Sequence, residues 1–348
     1  MDKVRIGLIG VGWIGSHHGH NIIKNPQAEL VALANPDCDR DKVERFIAQE
    51  QVSPRCYCDP EELLRQDDID AVIIASPNGV HAEQAIAAAQ AGKHIYLEKP
   101  MALTLADCKR IQTAVHVAGV KFLIGYHRRF NPLYQHARKL IAQGYFGKVF
   151  FVESDYLHHI PGDWDIWSWL GNEAIAGSLF HAGSGHNVDL IRFFGGDIAE
   201  VSCFKDICLP RTTQIETEDT AVATFRFNNG MMGKVMFCVG PILPFTFNFA
   251  LYGTQGSMIN NRVWLDSAPK FSEPGREKDY VKLPESWVPD NVQGGIGEPW
   301  NKCMDHFIDA VANDTPTLND VDSAYRTSEA CFAATQAARE KCVVTLPL

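Results

Sequence analysis

Residues 4–15 read "VRIGLIGVGWIG". A short apolar run leads into three glycines at G-x-G-x-x-G spacing, and a helical stretch follows to about Lys24. The pattern alone is weak, because glycine turns are common; a strand before it and a helix after it give it meaning. Gly10 permits a tight turn, Gly12 lets backbone approach an anion, and Gly15 allows close helix–strand packing. A pyrophosphate would sit on the helix N-terminus, where free N–H groups and the dipole favour negative charge. Gly10, Gly12, Trp13, Ile14 and Gly15 are therefore candidate cofactor contacts, and the chain is expected to bind a dinucleotide.

Working outward, strands and helices alternate through residue 125. "ELVALA" (29–34), "DAVIIA" (70–75), "HIYLE" (94–98) and "KFLIG" (121–125) read as strands. "DAVIIA" is continuously apolar, as strands buried on both faces are. Asp59, Pro60 and Glu62 form a helix-start pattern, and Gly92 and Thr104 mark a helix end and a helix start. Alternation of this kind implies a parallel, doubly wound sheet over residues 1–125.

Beyond residue 125 the pattern changes. "KVFFVESDY" (148–156), "TAVATFRF" (220–227), "MMGKVMFCV" (231–239) and "TFNFALYG" (246–253) read as longer strands of an antiparallel sheet. "NNG" (228–230) is a hairpin turn, since Asn and Gly tolerate positive φ. In "TFNFALY" one face carries Phe247, Phe249 and Leu251, and the other Thr246, Asn248, Ala250 and Tyr252. Such a sheet can cover helices on one side and meet another subunit on the other. Residues from about 300 to 340 read as helical. The second domain is taken as 126–348.

Net charge is -10 with no basic run, which argues against a nucleic-acid partner. No apolar run reaches the roughly 18 residues expected of a membrane span. The opening run passes straight into a glycine turn with no small-residue cleavage site, so it reads as a buried strand rather than a signal peptide. The 10 cysteines are scattered, with no partner set at zinc spacing. Reduced thiols in a cytoplasmic protein, and no metal, are the expectation.

The second strand ends in "ANPD", so Asn35 stands where an acid would bind the adenosine ribose. Asn can still hydrogen-bond a ribose hydroxyl, yet would not repel a 2′-phosphate. Arg40 could help a phosphate, but Asp37 and Asp39 oppose it. NAD is preferred, with NADP left open. "YLEKP" (96–100) ends the fifth strand. Ligands of open parallel sheets bind beyond strand carboxyl ends, which directs Glu98 and Lys99 toward the cofactor. Lys99 there can assist proton transfer at a substrate hydroxyl; the alternative is a structural Glu–Lys pair. The Lys99–Pro100 bond is a candidate cis peptide.

"GVGWIG", "SPNGVH" (76–81), "EKP" (98–100), "GYHRRFNP" (125–132) and "GHNVDLIRFFGG" (185–196) occur in this order. The chain thereby resembles the glucose–fructose oxidoreductase and inositol dehydrogenase (Gfo/Idh/MocA) family over nearly its whole length. The resemblance implies an α/β protein: an N-terminal Rossmann domain and a C-terminal α/β domain with a large, mostly antiparallel open sheet. It implies NAD(P)-dependent oxidation of a sugar or cyclitol hydroxyl, or the reverse, and a dimer or tetramer assembled on that sheet. Lys99 matches the lysine beside the reacting hydroxyl, and His186 the general acid–base, whose ordinary pKa of about 6.5 suits that task. Ser76, Pro77, Asn78 and His81 match the loop at the nicotinamide ribose, with Glu98 close to the same half. Tyr126 and Arg129 match a stretch at the substrate; for Arg129 a structural pairing is equally open.

One departure concerns "HAGSGHNVD" (181–189). Many family dehydrogenases carry Asp four residues before the histidine, where this chain has Ala182. Asp189 shares a helical face with His186 and reads as an orienter or substrate contact, or as a plain helix residue. His181 and the segment "DYLHHIPGDWDIWSW" (155–169) are candidates to replace the missing acid. There, His159, Asp163 and Asp165 stand among Trp164, Trp167 and Trp169; the alternative is a core patch plus a solvated loop. Two rival functions remain. A redox-assisted glycosidase or epimerase would keep its NAD tightly held, and a cofactor-binding sensor would do no chemistry.

Overall fold

A computed structural model describes residues 3–36, 40–163, 166–208, 215–265, 280–284 and 298–348. The chain divides into two compact units. One comprises Met1–Tyr126, Ala174–Gly177 and Gly297–Ser328; the other His127–Glu173, Ser178–Ile296 and Glu329–Leu348.

In the first unit, β1 (Val4–Ile9), α1 (Trp13–Lys24), β2 (Ala28–Ala34), α2 (Arg40–Glu50), β3 (Arg55–Tyr57) and α3 (Pro60–Leu64) follow in order. β4 (Ala71–Ile74), α4 (His81–Gln90), β5 (His94–Leu97), α5 (Leu105–Ala118) and β6 (Phe122–Ile124) complete the set. The strands pair in parallel, in the order β3-β2-β1-β4-β5-β6. Ala71, Val72, Ile73 and Ile74 have no exposed surface, because helices cover both faces of a sheet whose parallel strands need long crossovers. Asp59 accepts from the Glu61 N–H and Thr104 from the Asp107 N–H, so the helix starts read from the sequence are capped. Strand order reverses beside β1, which places the switch point at the carboxyl ends of β1 and β4.

In the second unit, α6 (Pro132–Ala142), β7 (Val149–Leu157), α7 (Trp167–Leu170), α8 (Glu173–Ala176, whose residues from Ala174 belong to the first unit) and α9 (Leu179–Gly195) come first. Then come β8 (Ile198–Asp206), β9 (Thr220–Phe227), β10 (Met232–Cys238), β11 (Thr246–Gly253), β12 (Gly256–Ile259), β13 (Arg262–Leu265) and β14 (Val281–Lys282). α10 (Glu298–Ala312) belongs to the first unit, α11 (Val321–Glu340) contributes to both, and β15 (Val344–Thr345) ends the chain.

The second sheet runs β14-β13-β12-β11-β7-β10-β9-β8-β15. It is antiparallel except at its centre, where β7 and β10 are parallel. The sheet is mostly antiparallel, as expected, and this pair is its one parallel ladder among the described strands. A long crossover separates β7 from β10, so nothing forces them antiparallel, whereas the tight β9–β10 turn, with Gly230 at φ +83°, does. Phe247, Phe249 and Leu251 are buried on the face that packs helices.

Helix α9 lies directly on this sheet. Asn187 donates to Ser154 Oγ of β7 at 2.7 Å. A Cβ at Gly183 would run into the Phe237 ring of β10, which explains a glycine at that position of "HAGSGHNVD". Among the described residues no helix is long and apolar enough to cross a membrane, and no group of three His, Cys, Asp or Glu is placed to hold a metal ion.

Candidate active site

The glycine turn builds an anion cradle in the first unit. Gly10 has φ +94°, and a Cβ there would strike the Ala75 carbonyl. A Cβ at Gly15 would overlap the Gly10 carbonyl, so helix and turn touch as the motif requires. Gly12 differs: a Cβ there would meet nothing within 4 Å. Helix α1 starts at this open space with no side-chain cap and no acidic residue in its first turn. Its N–H groups and positive dipole end are thus left for an anionic ligand. Trp13 is 62% exposed in that first turn and meets Trp300 edge-on at 5.6 Å; Ile14 is half-buried.

Asn35 completes the cradle. Its Oδ1 accepts from the Val11 N–H at 2.8 Å, pinning the turn. Its Nδ2 is buried with no partner, a donor that a ribose hydroxyl would satisfy. Arg40 is occupied by Glu44 at 3.1 Å. The cradle, the uncapped helix and the orphaned amide fit a dinucleotide.

The loops after β4 and β5 hold the other cofactor candidates. Ser76 donates to Gln84, Pro77 is exposed, and Asn78 donates to the Ala176 carbonyl at 3.0 Å. His81 is fully buried, with Nδ1 2.8 Å from the Pro100 carbonyl and Nε2 2.9 Å from that of Ser76. Both ring nitrogens face backbone, so His81 braces the two loops from behind. Glu98 accepts from His18 Nε2 at 2.7 Å and from the Lys99 N–H at 3.1 Å. Burial pushes its carboxyl up, but the His18 hydrogen bond and charge and the charge of Lys99 outweigh this and hold it below its ordinary value. The Lys99–Pro100 peptide is cis.

In the second unit, one helical turn (His127–Phe130) and α9 bring the remaining candidates together. His186 is 7% exposed, and its ring lies 4.6 Å from that of His127. Arg129 grips Asp189 in a bidentate pair, and Asp189 has no exposed surface. The structure thus brings these two candidates together as an ion pair, with the carboxylate sealed from solvent. Tyr126, in the first unit, is likewise wholly buried, its carbonyl accepting from Asn319.

His181 meets Phe332 edge-on at 4.9 Å and is 3% exposed. Five residues from His186, it lies well round the helix from it, whereas Ala182 is four residues away on the same face. His181 therefore lies off the helix face that Ala182 and His186 share. His159 and Asp163 are exposed. Trp167 is a core residue, 2% exposed, donating to the Pro161 carbonyl, while Trp169 is 38% exposed. Asp165 and Trp164 lie outside the described residues.

Three residues escaped sequence reading. His18 stands three after Gly15 on the buried face of α1, a spacing that marks it as inward-facing. Arg128 is 8% exposed, with its guanidinium 3.9 Å over the Phe247 ring and a buried Nε that has no partner. Nothing in "RR" says which arginine meets Asp189. Glu218 caps α9: it accepts from Ser178 Oγ, the Phe180 N–H at 2.8 Å and Lys205 at 2.9 Å.

Family models match both parts of the chain. Residues 4–126 match the oxidoreductase family with an NAD-binding Rossmann fold, and residues 134–259 the GFO/IDH/MocA C-terminal domain. A scyllo-inositol 2-dehydrogenase (NAD(+)) of Bacillus subtilis is 28% identical, with 99% of this chain and 96% of the relative covered. An uncharacterized oxidoreductase of the same organism is 30% identical, with 73% of each covered. The crystal structure of the WlbA dehydrogenase of Bordetella pertussis, in complex with NADH and UDP-GlcNAcA, is 28% identical. Its TM-score is 0.83, with 100% of this chain and 99% of that one covered. With both halves matched in order and an anion cradle where the dinucleotide belongs, the chain belongs to the Gfo/Idh/MocA family and is an oxidoreductase that uses NAD.

Proposed function

We propose that this chain is a dehydrogenase or reductase of a sugar or cyclitol hydroxyl, with His186 as acid–base and Lys99 assisting. The observation that carries the reading is the Glu98–Lys99–Pro100 turn at the carboxyl end of β5, braced by His18 and His81 beside the dinucleotide cradle. One relative named above is a scyllo-inositol 2-dehydrogenase and another was crystallised with NADH and UDP-GlcNAcA, which supports a polyhydroxylated ring as substrate. The dinucleotide, when bound, accepts or returns a hydride at its nicotinamide.

The chain's own residues do the rest. Gly12 and the α1 N-terminus hold the diphosphate, and Asn35 the adenosine ribose. Lys99 polarises the reacting oxygen, and His186 takes or returns its proton. Residues 126–348 are assigned substrate binding and self-association. A second copy is the proposed partner, on the sheet face away from α9. There Phe204, Val222, Met236, Asp155 and Asn248 align across five strands. The scattered cysteines fit the cytoplasm.

A panel of sugars, cyclitols and sugar acids, followed by nicotinamide absorbance with NAD and NADP, tests the reading. Substrate-dependent, stoichiometric release of NADH is expected. Lys99→Ala and His186→Ala should each lower kcat by orders of magnitude while NADH still binds. Near-normal turnover in either rejects its assigned role. Tightly retained, non-exchanging NAD with no net NADH would instead favour the redox-assisted glycosidase or epimerase.

A further inference from the structure

The turn that carries Lys99 is fixed twice. Its backbone packs on His81, a ring whose protonated form burial disfavours, set between the Pro100 carbonyl at 2.8 Å and the Ser76 carbonyl at 2.9 Å and donating to one of them. Its charge is held separately. Glu98 is 8% exposed, and its Oε1 lies 2.7 Å from Nε2 of His18, which has no exposed surface. A carboxylate only accepts, so the His18 ring donates there. The other carboxylate oxygen accepts the Lys99 N–H. Tyr96 closes the pocket: its ring meets His18 edge-on at 5.0 Å, and its hydroxyl donates to Cys303 rather than to Glu98. The charged or titratable groups around Glu98 are thus His18 on α1, Lys99 beside it, Tyr96 on β5 and His81 on α4.

A carboxylate this buried is costly without donors. With the backbone already pinned by His81, the hydrogen bond from His18 has a different task from holding the turn in place.

We propose that His18 is a positioning residue for Lys99: its ring donor keeps Glu98 anionic, so that a fixed negative charge stands beside the lysine. The inference rests on the Lys99 role proposed above. It adds a requirement of the reaction that lies 81 positions from Lys99 in sequence, on a ring with no exposed surface.

The test uses the full chain. Carbon-13 labelling of glutamate carboxyls, with Glu98→Gln identifying the signal, follows Glu98 in the cofactor-free protein from pH 5 to 7. In the wild type the signal is flat across this window, because His18 holds Glu98 below its ordinary 4.5 against burial. In His18→Met, burial is opposed only by the charge and backbone N–H of Lys99, and the signal moves up into the window. In His18→Gln, the amide donates in place of the ring and the signal is flat again.

At pH 6 the kcat of His18→Met falls at least tenfold, with the NADH dissociation constant within threefold of wild type, and His18→Gln recovers most of the loss. Glu98→Gln loses as much at every pH. A flat signal in folded His18→Met overturns the proposal, whether kcat falls or not. Should His18→Met fail to fold, wild-type kcat in Glu98→Gln overturns it equally. Lys99→Ala separates the two readings. If it keeps wild-type kcat, the lysine role fails; if it loses kcat while His18→Met does not, only the present inference fails.

Discussion

Arg129 donates two parallel hydrogen bonds to Asp189, Nε to Oδ2 at 2.7 Å and Nη2 to Oδ1 at 2.6 Å. The pair locks the turn that carries His127 to the helix that carries His186, 60 positions on. Asp189→Asn keeps the shape but leaves a buried guanidinium short of its counter-charge. Arg129→Met takes both of these hydrogen bonds from a buried carboxylate, with Arg192 still near it, and should cost about 3 kcal/mol. The double variant Arg129→Met/Asp189→Asn should recover much of that, since neither charge of the pair is then left without the other. Urea unfolding of the four proteins measures it, and additive losses would contradict the pairing.

Glu218 makes stability depend on acid. Burial pushes its carboxyl up, but the Lys205 ammonium and hydrogen bonds from Ser178, Thr217 and Lys205 together hold it below its ordinary 4.5. A depressed folded value stabilises the native state above about pH 4.5, and that contribution is lost as pH falls through the folded value. Unfolding free energies of wild type and Glu218→Gln should therefore differ at pH 7 and converge only as pH falls from 4.5 through the folded value. A constant gap would mean that the charge plays no part in capping α9.

Two glycines of one motif should respond oppositely. Gly12→Ala adds a methyl into open space, so its melting temperature should stay near wild type while NADH binding weakens at least on the order of tenfold. Gly15→Ala forces a methyl onto the Gly10 carbonyl and should lower the melting temperature itself. Thermal melts beside fluorescence titration with NADH separate the cases.

Asn35→Asp replaces the orphaned donor at the end of β2 with a second acceptor and a charge. A ribose diol can still donate to it, whereas a 2′-phosphate is repelled. The ratio of kcat/KM with NADP to that with NAD should drop on the order of tenfold. An unchanged ratio would place the ribose elsewhere.

The open sheet face exposes apolar side chains around charge pairs. Phe204 is 83% and Met232 45% exposed, while Lys234 bridges Glu153 at 2.9 Å and Asp155 at 3.1 Å. Phe204→Glu and Met232→Glu should shift sedimentation toward monomer with unchanged circular dichroism. A wild type that sediments as a monomer at micromolar concentration would remove this partner.

The dinucleotide fold was legible in residues 4–15 because its signals are local. Strand period, glycine turn and helix start lie within a dozen positions, and the open space over Gly12 follows from them. Helix caps at Asp59 and Thr104 were readable for the same reason. That Ala182, His186 and Asp189 lie toward one side of a helix was readable from spacing, since positions on one helix keep fixed angles to each other. The same angles count against His181 once α9 is known to run unbroken from Leu179 to Gly195.

Pairings across long separations were not legible. Sequence offered two adjacent arginines and one buried acid, and only packing selected Arg129 for Asp189 and left Arg128 over Phe247. His18 with Glu98, Glu218 with the α9 start, and β7 parallel to β10 join positions from about 40 to 80 residues apart. Sequence by itself determined the local geometry, because backbone angles and side-chain period are properties of neighbouring residues. Tertiary structure alone decided which charges are sealed together and which remain for a ligand, because desolvation depends on everything that packs around a group, not on its place in the chain.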